Sequence, residues 1–182
     1  MKVVELDKDL WKDFMLHFRW SSNGFYKVSI SQTEKGWTVE LKLKRSEKPL
    51  FKDYQEPLWQ KWMDEESDDG AKIFGVEIDG MIVGWMTVGM ESWNNRLRVH
   101  ELLVLEEYRG MGLGRMLLDK AKQVARQKRC RVIVLETQSN NVGAIEFYRK
   151  QGFELGGFDT TAYHNDDIER NEVRIEMACK NF

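Results

Sequence analysis

The segment Arg109-Gly110-Met111-Gly112-Leu113-Gly114-Arg115 packs three glycines and two arginines into seven residues. It follows an apolar run, Leu97 to Leu105, that reads as a strand. After it, Leu113, Leu117, Ala121 and Val124 mark one face of a helix reaching about Lys128. A glycine-rich turn entering a helix exposes backbone N–H groups where the helix dipole is positive, and the missing side chains let a phosphate come close. A phosphorylated ligand is therefore the first inference. A P-loop needs Gly-x-x-x-x-Gly-Lys-Ser/Thr, and the chain contains no Gly-Lys-Ser/Thr. A dinucleotide fingerprint needs Gly-x-Gly-x-x-Gly, whereas Gly110, Gly112 and Gly114 are spaced two by two after strands that read as antiparallel. Nucleotide hydrolysis and hydride transfer both recede. Cys130 and Cys179 form no Cys-x-x-Cys pair or Cys/His cluster, so no metal site is expected.

The elements that must position this loop can be read from periodicity. Asp7 precedes Leu10, Phe14 and Phe18, whose spacing of four predicts a short amphipathic helix. Tyr26, Val28 and Ile30, then Trp37, Val39, Leu41 and Leu43, alternate on either side of a polar link and predict an antiparallel pair. Pro57 stands where a first helical residue would, followed by the stripe Leu58, Trp59, Trp62 and Met63. Phe74, Val76 and Ile78 lead to Asp79-Gly80, a hairpin signal, and Met81 to Val88 resumes the strand pattern. Val132 to Leu135 reads as a short buried strand. A helix carrying Ala144, Ile145 and Tyr148 stops near Gly152, and strands at Phe153 to Phe158 and Val173 to Met177 close the chain. The order is that of an α/β domain around one mixed, mostly antiparallel sheet flanked by helices.

Composition narrows the class further. The 182 residues carry 28 Lys or Arg and 30 Asp or Glu, a net charge of −2 that gives no nucleic-acid footprint. Aromatic residues make up 12%, too many for a disordered chain, and the length fits a single domain, 1–182. No apolar run approaches the ~20 residues of a membrane-spanning helix. The acidic start Met1-Lys2-Val3-Val4-Glu5-Leu6-Asp7 lacks a leader pattern, so a cytoplasmic protein is expected.

Two blocks carry a family resemblance. Arg109-x-x-Gly112-x-Gly114 resembles the Arg/Gln-x-x-Gly-x-Gly/Ala pyrophosphate loop of the GNAT N-acetyltransferases. Asn141, Ala144, Phe147-Tyr148 and Gly152-Phe153 resemble that superfamily's Asn-x-x-Ala-x-x-x-Tyr-x-x-x-Gly-Phe segment. The resemblance covers roughly residues 74–177. Within it, Leu135-Glu136-Thr137-Gln138-Ser139-Asn140-Asn141 and Gly152-Phe153-Glu154-Leu155-Gly156-Gly157-Phe158-Asp159 look like streptothricin acetyltransferases, with support from Trp93-Asn94 and Lys52-Asp53-Tyr54. It implies an acetyl-CoA-dependent N-acetyltransferase, without a metal, acting on a primary amine of a small cationic acceptor. Streptothricin is one such acceptor, which would make the protein an antibiotic-resistance enzyme. The alternatives are a peptide or lysine N-acetyltransferase and a non-catalytic acyl-CoA-binding module. Neither nucleic acid nor membrane is an expected partner, and the resemblance admits a homodimer.

The same resemblance assigns roles. Backbone groups of Leu102, Leu103 and Val104 would meet the pantetheine arm, with the N–H of Leu103 or Val104 as oxyanion donor. The amides of Arg109, Gly110, Met111, Gly112, Leu113, Gly114 and Arg115 would hold the pyrophosphate, and Arg109 would add its charge. Tyr148 falls at the position of the acid that protonates the leaving thiolate. Asn141 would bond the pantetheine or cap its helix. For the base, Glu136, Glu101 and His100 compete in that order, and strict alternation would put His100 and Glu101 on opposite faces of their strand. The acidic run Asp64 to Asp69 is either a solvated helix end or, beside Trp59 and Trp62, the mouth of a cation site.

Overall fold

The computed structural model describes residues 1–182. Its strands are β1 (Lys2–Leu6), β2 (Met15–Thr33), β3 (Gly36–Pro57), β4 (Lys72–Ile78), β5 (Met81–Glu91), β6 (Arg96–Val104), β7 (Val132–Gln138), β8 (Glu154–Asp159) and β9 (Arg174–Cys179). Helices are α1 (Lys8–Trp11), α2 (Lys61–Glu65), α3 (Leu113–Gln127), α4 (Val142–Lys150) and α5 (Asp167–Arg170). Seven strands form one sheet in the order β1-β4-β5-β6-β7-β9-β8, and β2 and β3 form a separate two-stranded sheet. The pairs β1–β4, β4–β5 and β5–β6 are antiparallel, and β6–β7 is parallel. The mixed, mostly antiparallel α/β sheet is as expected. Two compact units divide the chain, one of residues 1–18, 54–135 and 178–182, the other of residues 19–53 and 136–177.

In the first unit the meander β4-β5-β6 turns on Asp79 and Gly80, both at positive φ (50° and 82°), as the sequence predicts. Helix α3 packs on β1, β4, β5 and β6, burying Leu113, Leu117, Leu118, Ala121, Val124 and Ala125. Leu16, Leu58, Ile73, Trp85 and Leu103 form a second cluster, with Trp11 and Trp59 packed against it. Phe14 stacks on Trp85 at 5.0 Å and Phe18 on Tyr54 at 5.2 Å.

Local spacing misleads at three places in this unit. The helix after Asp7 lasts only from Lys8 to Trp11, and Phe18 lies in β2; Leu10 is 81% exposed, so the spacing of four had no apolar face to bury it. Pro57 ends β3 instead of opening a helix, and α2 starts four residues later, at Lys61. β1, which the sequence reading lacks, is fixed by pairing with β4, from Lys2↔Glu77 to Leu6↔Ile73.

Asp64, Asp68 and Asp69 of the acidic run bond other segments of this unit. Asp64 accepts from Lys8 Nζ (2.7 Å), Trp59 Nε1 (3.1 Å) and the Ala71 N–H (2.8 Å). Lys8 Nζ also lies 5.5 Å from the Trp59 ring centroid, a cation–π contact within the chain. Asp68 accepts from Ser92 Oγ, and Asp69 pairs with Lys128. Glu65, Glu66, Asp68 and Asp69 remain exposed.

Glu91, 6% exposed, is gripped by Arg96, Arg98 and Asn94. Burial raises its pKa, but the two guanidinium groups and the amide outweigh it and hold the carboxyl below its ordinary value. A lowered folded-state pKa gives stability that is present above the unfolded value and lost as pH falls through the folded one. Glu91→Gln should therefore lower unfolding free energy at pH 7 by about 3 kcal/mol, the scale for breaking a buried pair. In denaturant titrations the parent–variant gap should narrow as pH drops below about 4.5; a constant gap would show that the charge does not matter.

In the second unit, β2 and β3 form a long hairpin and α4 runs between β7 and β8 in the chain. Ser139, fully buried, gathers several segments: its carbonyl accepts from the Tyr26 N–H (2.8 Å), its N–H donates to the Val173 carbonyl (2.8 Å), and its hydroxyl meets the Asn171 carbonyl and the Val173 N–H at 3.0 Å. The polar loop between β8 and β9 contains α5, absent from the sequence reading.

Candidate active site

The residues expected to meet the cosubstrate lie in the first unit. Parallel pairing of β6 with β7 runs from Arg96↔Val132 to Val99↔Leu135 and stops there, while β6 continues to Val104 with β5 as its strand partner. Beyond Val99 the β7-facing edge of β6 has no ladder partner, and a ligand could lie beside the strand there at Leu102 and Leu103. Leu103 is buried in the core cluster; Leu102 and Val104 are half-buried.

Beyond a single 3₁₀ turn, Glu106–Tyr108, the glycine loop begins. Gly110 and Gly112 have φ of 81° and 82°, a region that disfavours other residues, and a Cβ at either would meet nothing within 4 Å. Conformation, not crowding, requires glycine here, and the space in front of the loop is open. Gly112 is the N-cap of α3 and has no side chain to cap it, so the first amides of that helix face this opening. Such a cradle fits a pyrophosphate. Arg109 is exposed, and its Nε donates to the Val104 carbonyl at 3.3 Å, which ties the loop to the end of β6.

His100 and Glu101 do not follow simple alternation. Val88 pairs with Val99 while Thr87 pairs with Glu101, which makes His100 the extra residue of a β-bulge. Both ring nitrogens of His100 are buried without a partner, and the ring meets Trp62 edge-on at 5.2 Å. Burial first, then the charge of Arg98, pushes its pKa down to about 4. An imidazole so disfavoured as a cation is a poor receiver for the proton of an alkylammonium with a pKa near ~10. Glu101 is half-buried on the β6 stretch that has lost β7.

The second unit holds the other candidates. Glu136 directly follows Leu135, the last β7 residue in register with β6. Its Oε1 accepts from the Tyr163 hydroxyl at 2.6 Å and its Oε2 from Arg174 Nε at 3.0 Å, with its side chain 33% exposed. Burial, then the Glu136 carboxylate, pushes the Tyr163 phenol well above its ordinary pKa, so it stays a donor. Sequence reasoning missed both partners. They lie 27 and 38 positions from Glu136, in the β8–β9 loop and on β9, and no periodic pattern connects such positions.

Asn141 caps α4, its side chain accepting the Ala144 N–H at 3.2 Å, as the motif predicts. Tyr148 is 9% exposed and packs between Phe147 (5.3 Å) and Phe153 (6.0 Å), which fixes its ring direction. A cleft of 560 Å³ in this unit is lined by Tyr26, Ile145, Arg149, Phe153 and Ile175 among others, and none of the motif-predicted site residues borders it. No group of three His, Cys, Asp or Glu side chains is placed to hold a metal ion, and no helix is long and apolar enough to cross a membrane.

Residues 37–153 match the acetyltransferase (GNAT) family, so the similarity starts within the hairpin, earlier than the motifs alone indicate. The chain is 34% identical over 131 residues to the streptothricin acetyltransferase of Escherichia coli, covering 72% of this chain and 71% of that one. It is 31% identical over 132 residues to streptothricin acetyltransferase A of Bacillus subtilis, covering 72% and 73%. Among solved structures it resembles nourseothricin acetyltransferase, with a TM-score of 0.75 and 25% identity over 98% of this chain and 96% of that one. A Bacillus anthracis protein assigned as a streptothricin acetyltransferase, in complex with acetyl coenzyme A, gives a TM-score of 0.70 and 26% identity over 98% of both chains. Together with the open glycine cradle at the start of α3, these matches make the chain a member of the GNAT family, an acetyl-CoA-dependent N-acetyltransferase.

Proposed function

We propose that the acceptor is a primary amine of a small cationic molecule, that streptothricin is its leading candidate, and that the protein confers resistance to that antibiotic in the cytoplasm, with residues 1–182 acting as one catalytic domain. The observation that carries the reading is the end of β6–β7 pairing at Val99↔Leu135, just ahead of an open, amide-lined helix start. The names of the relatives from Escherichia coli and Bacillus subtilis support the choice of acceptor.

Acetyl-CoA supplies an acyl group on a thiol leaving group. Amides of residues 109–115 bind its phosphates, and the backbone of Leu102, Leu103 and Val104 aligns its arm. A donor at Leu103 or Val104 stabilises negative charge on the carbonyl oxygen. Tyr148 Oη holds the proton destined for the sulfur. Glu136 attracts the ammonium of the acceptor and takes its proton through water; Glu101 is the second candidate for that role, and His100, neutral and buried, the third.

Calorimetry should show acetyl-CoA binding to the parent and its loss, by at least about tenfold in Kd, in Gly112→Asp and Gly114→Asp, because a carboxylate would meet the phosphates. Normal affinity in both variants would place the phosphates elsewhere. Tyr148→Phe should lower kcat by about a hundredfold at the scale of general-acid catalysis, with acetyl-CoA affinity retained. CoA release measured with streptothricin, polyamines and N-terminal peptides tests the acceptor directly. Preference for the peptides would overturn the small-cation reading.

A further inference from the structure

We infer that Tyr163 is a positioning residue for acetyl transfer, fixing the carboxylate of Glu136 from a loop that the buried Asp167 pins in place. The inference rests on the reading of Glu136 as an acceptor-side group. Residues 160–166 are a polar connection between β8 and β9, yet Asp167 behind them is fully buried. Its two oxygens accept the N–H groups of Tyr163 (3.0 Å) and His164 (2.8 Å). A buried carboxylate so used holds one turn in one shape, and that turn delivers a phenol to Glu136 Oε1 at 2.6 Å. Arg174 holds the other oxygen at 3.0 Å.

Stability alone gives this bond little reason to exist. Glu136 and Arg174 are each about one-third exposed in their side chains, and water could replace either partner at small cost. Orientation is another matter. One donor on each oxygen fixes the carboxylate plane and leaves the remaining lone pairs for a further donor, of which an acceptor's ammonium group is one. The phenol remains a donor throughout the working pH range because burial and Glu136 oppose its ionisation.

The test is a double-mutant cycle on kcat/KM with the best amine of the panel, using the parent, Tyr163→Phe, Glu136→Gln and the double variant. Melting temperature and acetyl-CoA affinity are measured on each. Tyr163→Phe should cost about tenfold in kcat/KM, with melting and acetyl-CoA affinity unchanged, and should cost nothing further once Glu136 is Gln. Glu136→Asp, which draws the carboxylate away from the phenol, should reproduce the Tyr163→Phe loss and shows the effect even if the latter folds poorly. Losses that multiply in the double variant, or a Tyr163→Phe enzyme within twofold of the parent, would overturn the inference while leaving acetyl transfer intact. A parent that binds acetyl-CoA but releases CoA with no amine would overturn the acceptor reading, and this inference with it.

Discussion

A parallel ladder of four residue pairs, from Arg96↔Val132 to Val99↔Leu135, sets the terms for the rest of the molecule. Unpaired backbone polar groups must find partners in water, protein or ligand. Where β6 runs on with β5 alone, it presents a strand edge that in most sheets would be a liability for unwanted pairing. Here the glycine loop comes five residues after the strand ends, so a ligand lying along that edge reaches a helix start with uncapped amides. The bulge at His100 falls in the same stretch and makes room for one extra residue without disturbing the pairing of Glu101 with Thr87.

Charge is used in two ways. Asp64 and Glu91 are consumed by Lys8, Arg96, Arg98 and neighbouring N–H groups, and their work is to tie segments of the first unit together. Glu136 also has a guanidinium partner, but its side chain stays one-third exposed and keeps capacity for another donor. Abundance of carboxylates along the chain therefore says little about where a cation binds. What separates these acids is how many of their acceptor positions the protein leaves open.

The local features were legible in the sequence. The Asp79-Gly80 turn, α3 behind its glycine loop and the Asn141 cap of α4 are each decided within a few residues. Elements decided at a distance were not. β1 is set by β4, α5 lies within a loop closed by Asp167, and the triad of Tyr163, Glu136 and Arg174 joins three separate segments. The apolar spacing of Leu10, Phe14 and Phe18 suited a helix, yet the aromatic rings find Trp85 and Tyr54 from a short turn and a strand. Alternation likewise failed at His100 because a bulge changes the count, which no single-strand pattern can reveal.

The hairpin β2–β3 has a consequence for how the protein is made. It emerges from the ribosome long before the residues that secure it within the second unit: Tyr26 bonds Glu146 and Lys52 pairs with Glu172, each 120 positions later, and Lys27 reaches the Ile168 carbonyl after 141. An isolated two-stranded ribbon is at best marginal in water, and Ile30, Trp37, Val39 and Leu43 remain exposed on it even in the finished fold. Such distant closure slows folding and leaves a nascent ribbon open to neighbouring chains. Slower growth at low temperature, or a chaperone that shields apolar strands during synthesis, would thus raise the yield of active protein without touching a catalytic group.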